Sequence, residues 1–129
     1  MFTSAFPIIS TADMARALAF YHDLLGGKIT YQFPPEGDPG YVALDIGPSH
    51  LGLGLDPDPP TGPQRIAIWL YTNDCDAAVA KLRAAGTVIT EEPATQQWGE
   101  RIARCLDPDG NEIIIGSPAP PDTDPAPAD

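Results

Sequence analysis

The chain has 129 residues, 43% of them hydrophobic, enough for one ordinary domain with a buried core and too few for two. Its net charge of −11 sets it against nucleic acid and anionic membrane surfaces, whose binding needs clustered Lys and Arg. No apolar run approaches the ~20 residues of a membrane helix, Met1–Thr11 has no secretory pattern, and Cys75 and Cys105 form neither a disulfide framework nor a Cys-x-x-Cys pair. The cytoplasm is the expected setting, the two thiols are expected as small packing residues, and an acidic surface suits a cationic ligand.

In chain order, Ala5–Ser10 reads as a short apolar strand. From Asp13 the pattern changes. Met14, Leu18, Tyr21 and Leu25 share one helical face, Thr11 or Asp13 can cap its start, and Gly26-Gly27 stops it. Lys28–Phe33 alternates, with Ile29, Tyr31 and Phe33 on one face. Tyr41–Ile46 and Leu51–Leu55 are two further strands, separated by Gly47-Pro48-Ser49.

The same order then repeats. Arg65–Tyr71 predicts a strand, and Asp74 caps a helix whose apolar face is Ala78, Val79, Leu82 and Ala85, ended by Gly86. Strands follow at Thr87–Thr90 and Glu100–Leu106, then the turn Asp107-Pro108-Asp109-Gly110-Asn111 and a last strand, Glu112–Gly116. The helices repeat at an offset of about sixty residues, which predicts a tandem βαβββ duplication: residues 3–56 and 64–117, joined by a proline-rich linker at 56–63. The expected class is α+β, one domain over 1–117, with a curved mixed sheet, helices outside and a concave ligand cup. Residues 118–129 are proline- and aspartate-rich and are expected to be disordered.

Asp13-Met14 followed by Ala19-Phe20-Tyr21-His22-Asp23-Leu24-Leu25-Gly26-Gly27, together with Leu106-Asp107-Pro108-Asp109-Gly110-Asn111 on a duplicated unit, resembles the vicinal-oxygen-chelate superfamily. That superfamily takes in glyoxalase, bleomycin-resistance proteins and extradiol dioxygenases. Trp98-Gly99-Glu100-Arg101 resembles a segment of its antibiotic-binding branch. The resemblance implies one metal ligand on each of four strands, typically two histidines and a glutamate. Carried across, these positions fall near Phe6, Ala67, Leu53 or a neighbour, and Ile114, none of which can bind a divalent cation. The expectation is therefore no metal and no other cofactor. His22 reads as a solvated helix residue, His50 as a turn-edge residue, and Glu112 as an exposed edge carboxylate.

If that parity holds, Phe6, Ile8, Leu53, Trp69, Tyr71 and Ile114 line the cup, while Ile66, Ile68 and Leu70 pack on a helix. Trp69 is equally readable as core filler. Trp98, Phe33 and Tyr41 are rim candidates for stacking and cation–π contact. Arg104, between Ala103 and Cys105, is the expected partly buried arginine, and Asp45 the carboxylate of interest. The function this implies is metal-free binding and sequestration of a small hydrophobic, aromatic or cationic molecule, with antibiotic self-resistance as one form, by a homodimer that binds no nucleic acid or membrane. The alternatives are a metal-dependent lyase, isomerase or dioxygenase of the same superfamily, and a cofactor-free cyclase or epimerase using Asp45, His50 or Arg104.

Overall fold

The computed structural model describes residues 4–58 and 66–120, which fall into two compact units, Met1–Gly62 and Pro63–Asp129. In the first, β1 (Ile8–Thr11) leads into α1 (Met14–Leu18), which continues as a π-helical segment over Ala19–Leu24. Strands β2 (Lys28–Phe33), β3 (Tyr41–Ile46) and β4 (Ser49–Leu55) follow. The sheet runs β1-β4-β3-β2, with β1 parallel to β4 and the other pairs antiparallel. The second unit repeats the order: β5 (Ile68–Tyr71), α2 (Cys75–Ala84), β6 (Ile89–Thr95), β7 (Glu100–Leu106) and β8 (Glu112–Pro118), arranged β5-β8-β7-β6. The fold is α+β, two mixed four-stranded open sheets, as the duplicated pattern predicts.

Both helices begin on an aspartate. Asp13 accepts from the Arg16 amide at 3.1 Å and Asp74 from the Ala77 amide at 3.0 Å, each supplying an acceptor to an otherwise unpaired N–H. Thr11 does not cap; its hydroxyl accepts from the Asp13 amide and orients the turn. The first helix ends by widening. The Leu25 amide donates to the Phe20 carbonyl, five residues back, and the Gly27 amide to the Tyr21 carbonyl.

Each helix lies against one face of its own sheet, and that face is the core. In the first unit it holds Ile9, Val42, Leu44, Leu51 and Leu53 with Met14, Ala17, Phe20 and Tyr21. In the second it holds Ala103, Cys105, Ile113 and Ile115 with Cys75, Val79 and Leu82. Burial of each large side chain contributes about 1.5–3 kcal/mol. Both cysteines are free and buried; burial pushes the Cys105 thiol up to about 11 and raises that of Cys75, so neither offers a thiolate near neutral pH.

Several boundaries differ from the sequence pattern. β1 begins at Ile8 rather than Ala5, because Pro7 has no amide to give a ladder and contributes only its carbonyl, to Gly52. β4 begins at Ser49, since Gly47-Pro48 alone makes the turn with Gly47 at φ +56°. β5 begins at Ile68, leaving Ile66 exposed rather than packed on a helix. β6 runs to Thr95, carrying Pro93 on an edge strand, where a missing donor is tolerated. β8 runs to Pro118, and its buried Ser117 hydroxyl accepts from the Cys75 amide at 3.1 Å, so the proline-rich tail starts later than Ser117. Most of the expected linker and tail, 59–65 and 121–129, lies outside the described residues.

Bulges in the outer strands change side-chain parity, one in β2 and two in β6, the second of these between Glu91 and Ala94. Ile29 pairs with Leu44 but Tyr31 with Ala43, so Ile29 faces the helix side while Tyr31 and Phe33 face away, against the simple alternation. The same shift recurs sixty residues later, between Ile89 and Glu91.

Arg101 fastens α2 to its sheet. Its guanidinium grips Asp76 through Nε at 2.7 Å and a terminal nitrogen at 3.0 Å, and donates to Thr95 Oγ1 at 3.2 Å. The Arg101 guanidinium holds the Asp76 carboxyl below its ordinary 3.8. A carboxyl depressed in the folded state stabilises above its unfolded value, and that contribution fades as the pH falls through the folded value. Asp76→Asn is expected to cost about 1 kcal/mol at pH 7, the exposure of Asp76 limiting the effect. Thermal melts of both proteins should converge as the pH falls well below 3.8; a gap unchanged from pH 7 into that range would exclude the ion pair as its source.

Candidate functional site

With one face of each sheet covered by its helix, the opposite face is the one on which large strand side chains such as Trp69, Tyr71, Tyr31 and Phe33 stand open. In the second unit the ladder fixes which residues share it. Trp69 pairs with Ile114 and Tyr71 with Gly116; Ile114 in turn pairs with Arg104, and Gly116 with Ile102. Glu91 lies across from Arg104 and Ala94 from Ile102. The sequence-predicted Trp69, Tyr71, Arg104 and Ile114 therefore come together on one surface.

On this surface lies a groove of about 140 Å³ lined by Trp69, Trp98, Glu91, Gln96, Ile102 and Arg104 among others. Trp98 reaches it from the turn between β6 and β7, where the Gly99 amide donates to the Gln96 carbonyl. Trp69 is 41% and Trp98 64% exposed, so neither is core filler, while Ile102 and Ile114 form a buried apolar floor. Trp69 lies closely over Gly116: a Cβ there would stand 3.0 Å from the indole nitrogen and push the ring off by a few tenths of an ångström. The Trp69 and Tyr71 rings are tilted, with centroids 5.8 Å apart.

Charge is arranged around these rings. Arg104 is held between Glu91, at 2.6 Å, and Glu112. Glu112 is thus not a bare edge carboxylate, and of the two arginines Arg101, not Arg104, has the more covered side chain, 19% against 38% exposed. Glu100 accepts from Trp98 Nε1 at 2.7 Å. Its carboxylate also holds the Tyr71 hydroxyl and raises that phenol above its ordinary value. Glu91 was not singled out in the sequence, Glu112 reads there only as an edge carboxylate and Glu100 only as part of the Trp98–Arg101 segment; the signal for Glu91 is the bulge in β6, which alternation does not reveal.

In the first unit the open face carries Ile8, Tyr31, Phe33 and Tyr41, with Phe33 directly across from Tyr41 and the Tyr31 and Tyr41 rings 6.2 Å apart. Phe6 precedes β1 and is exposed. Leu53 is a correction. It pairs with Ile9 and Val42 and is wholly buried on the helix side, so the open-face positions of β4 are Gly52 and Gly54. Asp45 and His50 pair across β3 and β4, Oδ1 to Nδ1 at 2.5 Å.

The donor set does not fit the metal that the resemblance implies. Open-face positions on β1, β4, β5 and β8 hold Ile8, Gly52, Trp69 and Ile114, while Phe6 and Ala67 precede their strands; none supplies an imidazole, carboxylate or thiolate. Among the described residues no group of three or more His, Cys, Asp or Glu side chains is placed to hold an ion.

Tyr41 lies across Gly52, where a Cβ would stand 2.4 Å from the phenolic oxygen. Gly52→Ala should displace the ring and cost about 1 kcal/mol. In a double-mutant cycle of melting curves, Tyr41→Ala should relieve that cost; additive losses would mean that the two positions do not press on each other.

The family model described as Glyoxalase/Bleomycin resistance protein/Dioxygenase superfamily matches residues 5–115. A protein of Mycobacterium tuberculosis bearing the provisional name glyoxylase CFP32 is 32% identical over 104 residues, 81% of this chain, which spans only 40% of that relative. The solved structure of the hypothetical protein SA1046 from S. aureus is 27% identical with a TM-score of 0.73, covering 91% of this chain and 98% of its own. A bleomycin resistance determinant encoded on transposon Tn5 shares the fold at 22% identity and a TM-score of 0.68, over 91% of this chain and 98% of its own. With a family match across nearly the whole described chain and a duplicated βαβββ fold to accompany it, this protein belongs to the glyoxalase/bleomycin resistance protein/dioxygenase superfamily.

Proposed function

We propose that the chain binds and sequesters a small hydrophobic, aromatic or cationic molecule without a metal ion, acting as a homodimer in the cytoplasm. One observation carries this reading: the open face of the second unit places indoles and carboxylates around a groove while the strand positions expected to ligate a metal are apolar. Indoles supply flat, rigid contact area at small entropic cost, and carboxylates attract positive charge. Ile8, Tyr31 and Phe33 form a second exposed apolar patch on the first unit, of the kind that a partner copy covers. Antibiotic self-resistance is the biological form that the Tn5 determinant's name suggests.

Titration of chelator-stripped protein with bleomycin and a panel of flat cationic and neutral aromatic compounds, followed by tryptophan fluorescence, tests the reading. Quenching that is lost in Trp69→Leu, with the melting temperature retained, is expected. Stoichiometric binding of Zn²⁺, Ni²⁺, Mn²⁺ or Fe²⁺ in calorimetry, one ion per chain, would overturn it in favour of a metal-dependent lyase, isomerase or dioxygenase.

A second reading, cofactor-free proton transfer of the cyclase or epimerase type, is favoured by the Asp45–His50 pair, whose carboxylate would orient the imidazole as a general base. Under it, a bound ligand exchanges a carbon-bound proton with deuterated solvent, followed by NMR, and His50→Gln stops the exchange. Unchanged exchange in that variant would remove the pair from consideration.

A further inference from the structure

We infer that the groove on the second unit is an anchor for a compact, weakly hydrated organic cation, a methylated ammonium group, held between Trp69 and Trp98 beside Glu91 and Glu100. This rests on the binding reading above and names the chemical group it recognises.

Three observations converge. The first is charge. Glu91, which lines the groove, is paired with Arg104, whereas Glu100, at its edge, is held by the indole N–H of the groove-lining Trp98 at 2.7 Å. Glu92, which also borders the groove, is neutralised from the helix side by Arg83. Glu100 is the carboxylate left to meet a cation, because the partners that hold it, the Trp98 indole N–H and the Tyr71 hydroxyl, are neutral donors. They orient the carboxylate without cancelling its charge.

The second is the wall. Two indoles border one groove, and the tilted Trp69 and Tyr71 rings present faces rather than a closed stack. Ring faces attract cations, tryptophan most strongly, and the attraction survives best for a cation that gives up little hydration. A quaternary, fully methylated ammonium meets that condition and donates no hydrogen bond, so Glu100 can keep both of its neutral donors.

The third is size. About 140 Å³ is well below the ~300 Å³ or more of a site for a whole drug-sized ligand. It suits one head group of a larger molecule.

The test uses the intact chain and two probes of nearly the same shape: choline, and its neutral carbon isostere 3,3-dimethylbutan-1-ol. Titration by tryptophan fluorescence should show choline binding at least about tenfold more tightly than the isostere. Glu100→Gln, which keeps an acceptor for Trp98 and Tyr71 but removes the charge, should erase most of that preference and leave the isostere's affinity unchanged. Equal affinity of the two probes for the unaltered chain would overturn the cation subsite while leaving sequestration of neutral aromatics standing. Binding of flat aromatic compounds with none by choline would do the same. If neither the probes nor the aromatic panel binds, the binding reading itself fails and the subsite with it. The comparison on the unaltered chain decides the matter even where the variant folds poorly.

Discussion

A four-stranded sheet that carries its only helix on one face sorts every strand residue into two populations, because successive side chains point to opposite sides. In both units that sorting is severe. Val42, Leu44, Leu51 and Leu53 are sealed beneath the first helix, and Ala103, Cys105, Ile113 and Ile115 beneath the second. What remains on the other side is not a random residue of the alternation. It is Tyr31, Phe33 and Tyr41 in one unit and Trp69, Tyr71 and Arg104 in the other, side chains too large or too polar to have been placed there by core packing. Which side chains stand open to a ligand follows from which side of that division a residue falls on.

The division is drawn by register, and in the outer strands register depends on extra residues, one in β2 and two in β6. The bulges in β2 and β6 occupy matching places in the duplicated pattern. In β6 the bulge turns Glu91 toward Arg104, and β8 delivers Glu112 to the same guanidinium. Without that shift the glutamate would face the helix side. The glycines opposite the aromatic rings play a complementary part: Gly52 and Gly116 leave the space that Tyr41 and Trp69 occupy, so the rings lie over the sheet rather than standing off it.

The chemistry available on these faces is that of attraction. Buried, proton-bearing thiols at Cys75 and Cys105 offer no nucleophile, and the open-face positions of β1, β4, β5 and β8 hold Ile8, Gly52, Trp69 and Ile114, none of them a metal donor. Indoles and carboxylates clustered on an apolar floor can hold a ligand by dispersion, cation–π contact and charge. The Asp45–His50 pair is the exception, a local arrangement able to move a proton.

Much of this architecture was legible in the chain itself. Aspartate at both helix starts, glycine after both helices, the Asp107–Asn111 turn and the sixty-residue repeat are local signals, each carried by residues whose backbone preference is intrinsic. Parity within an unbroken strand is equally legible, which is why Trp69, Tyr71 and Ile114 read from the sequence as sharing one face. Leu53 was not, since the start of β4 and thus the match between β4 and β1 depends on how few residues the Gly47-Pro48 turn needs. Nor were Ile29, displaced by a bulge, or the partners of Arg104, which are thirteen residues before it and eight after it and meet only across strands. Local sequence determined the elements, the duplication and the family. The tertiary pairing alone decided which charges meet which rings, because cross-strand register is a property of two segments at once and neither segment encodes it.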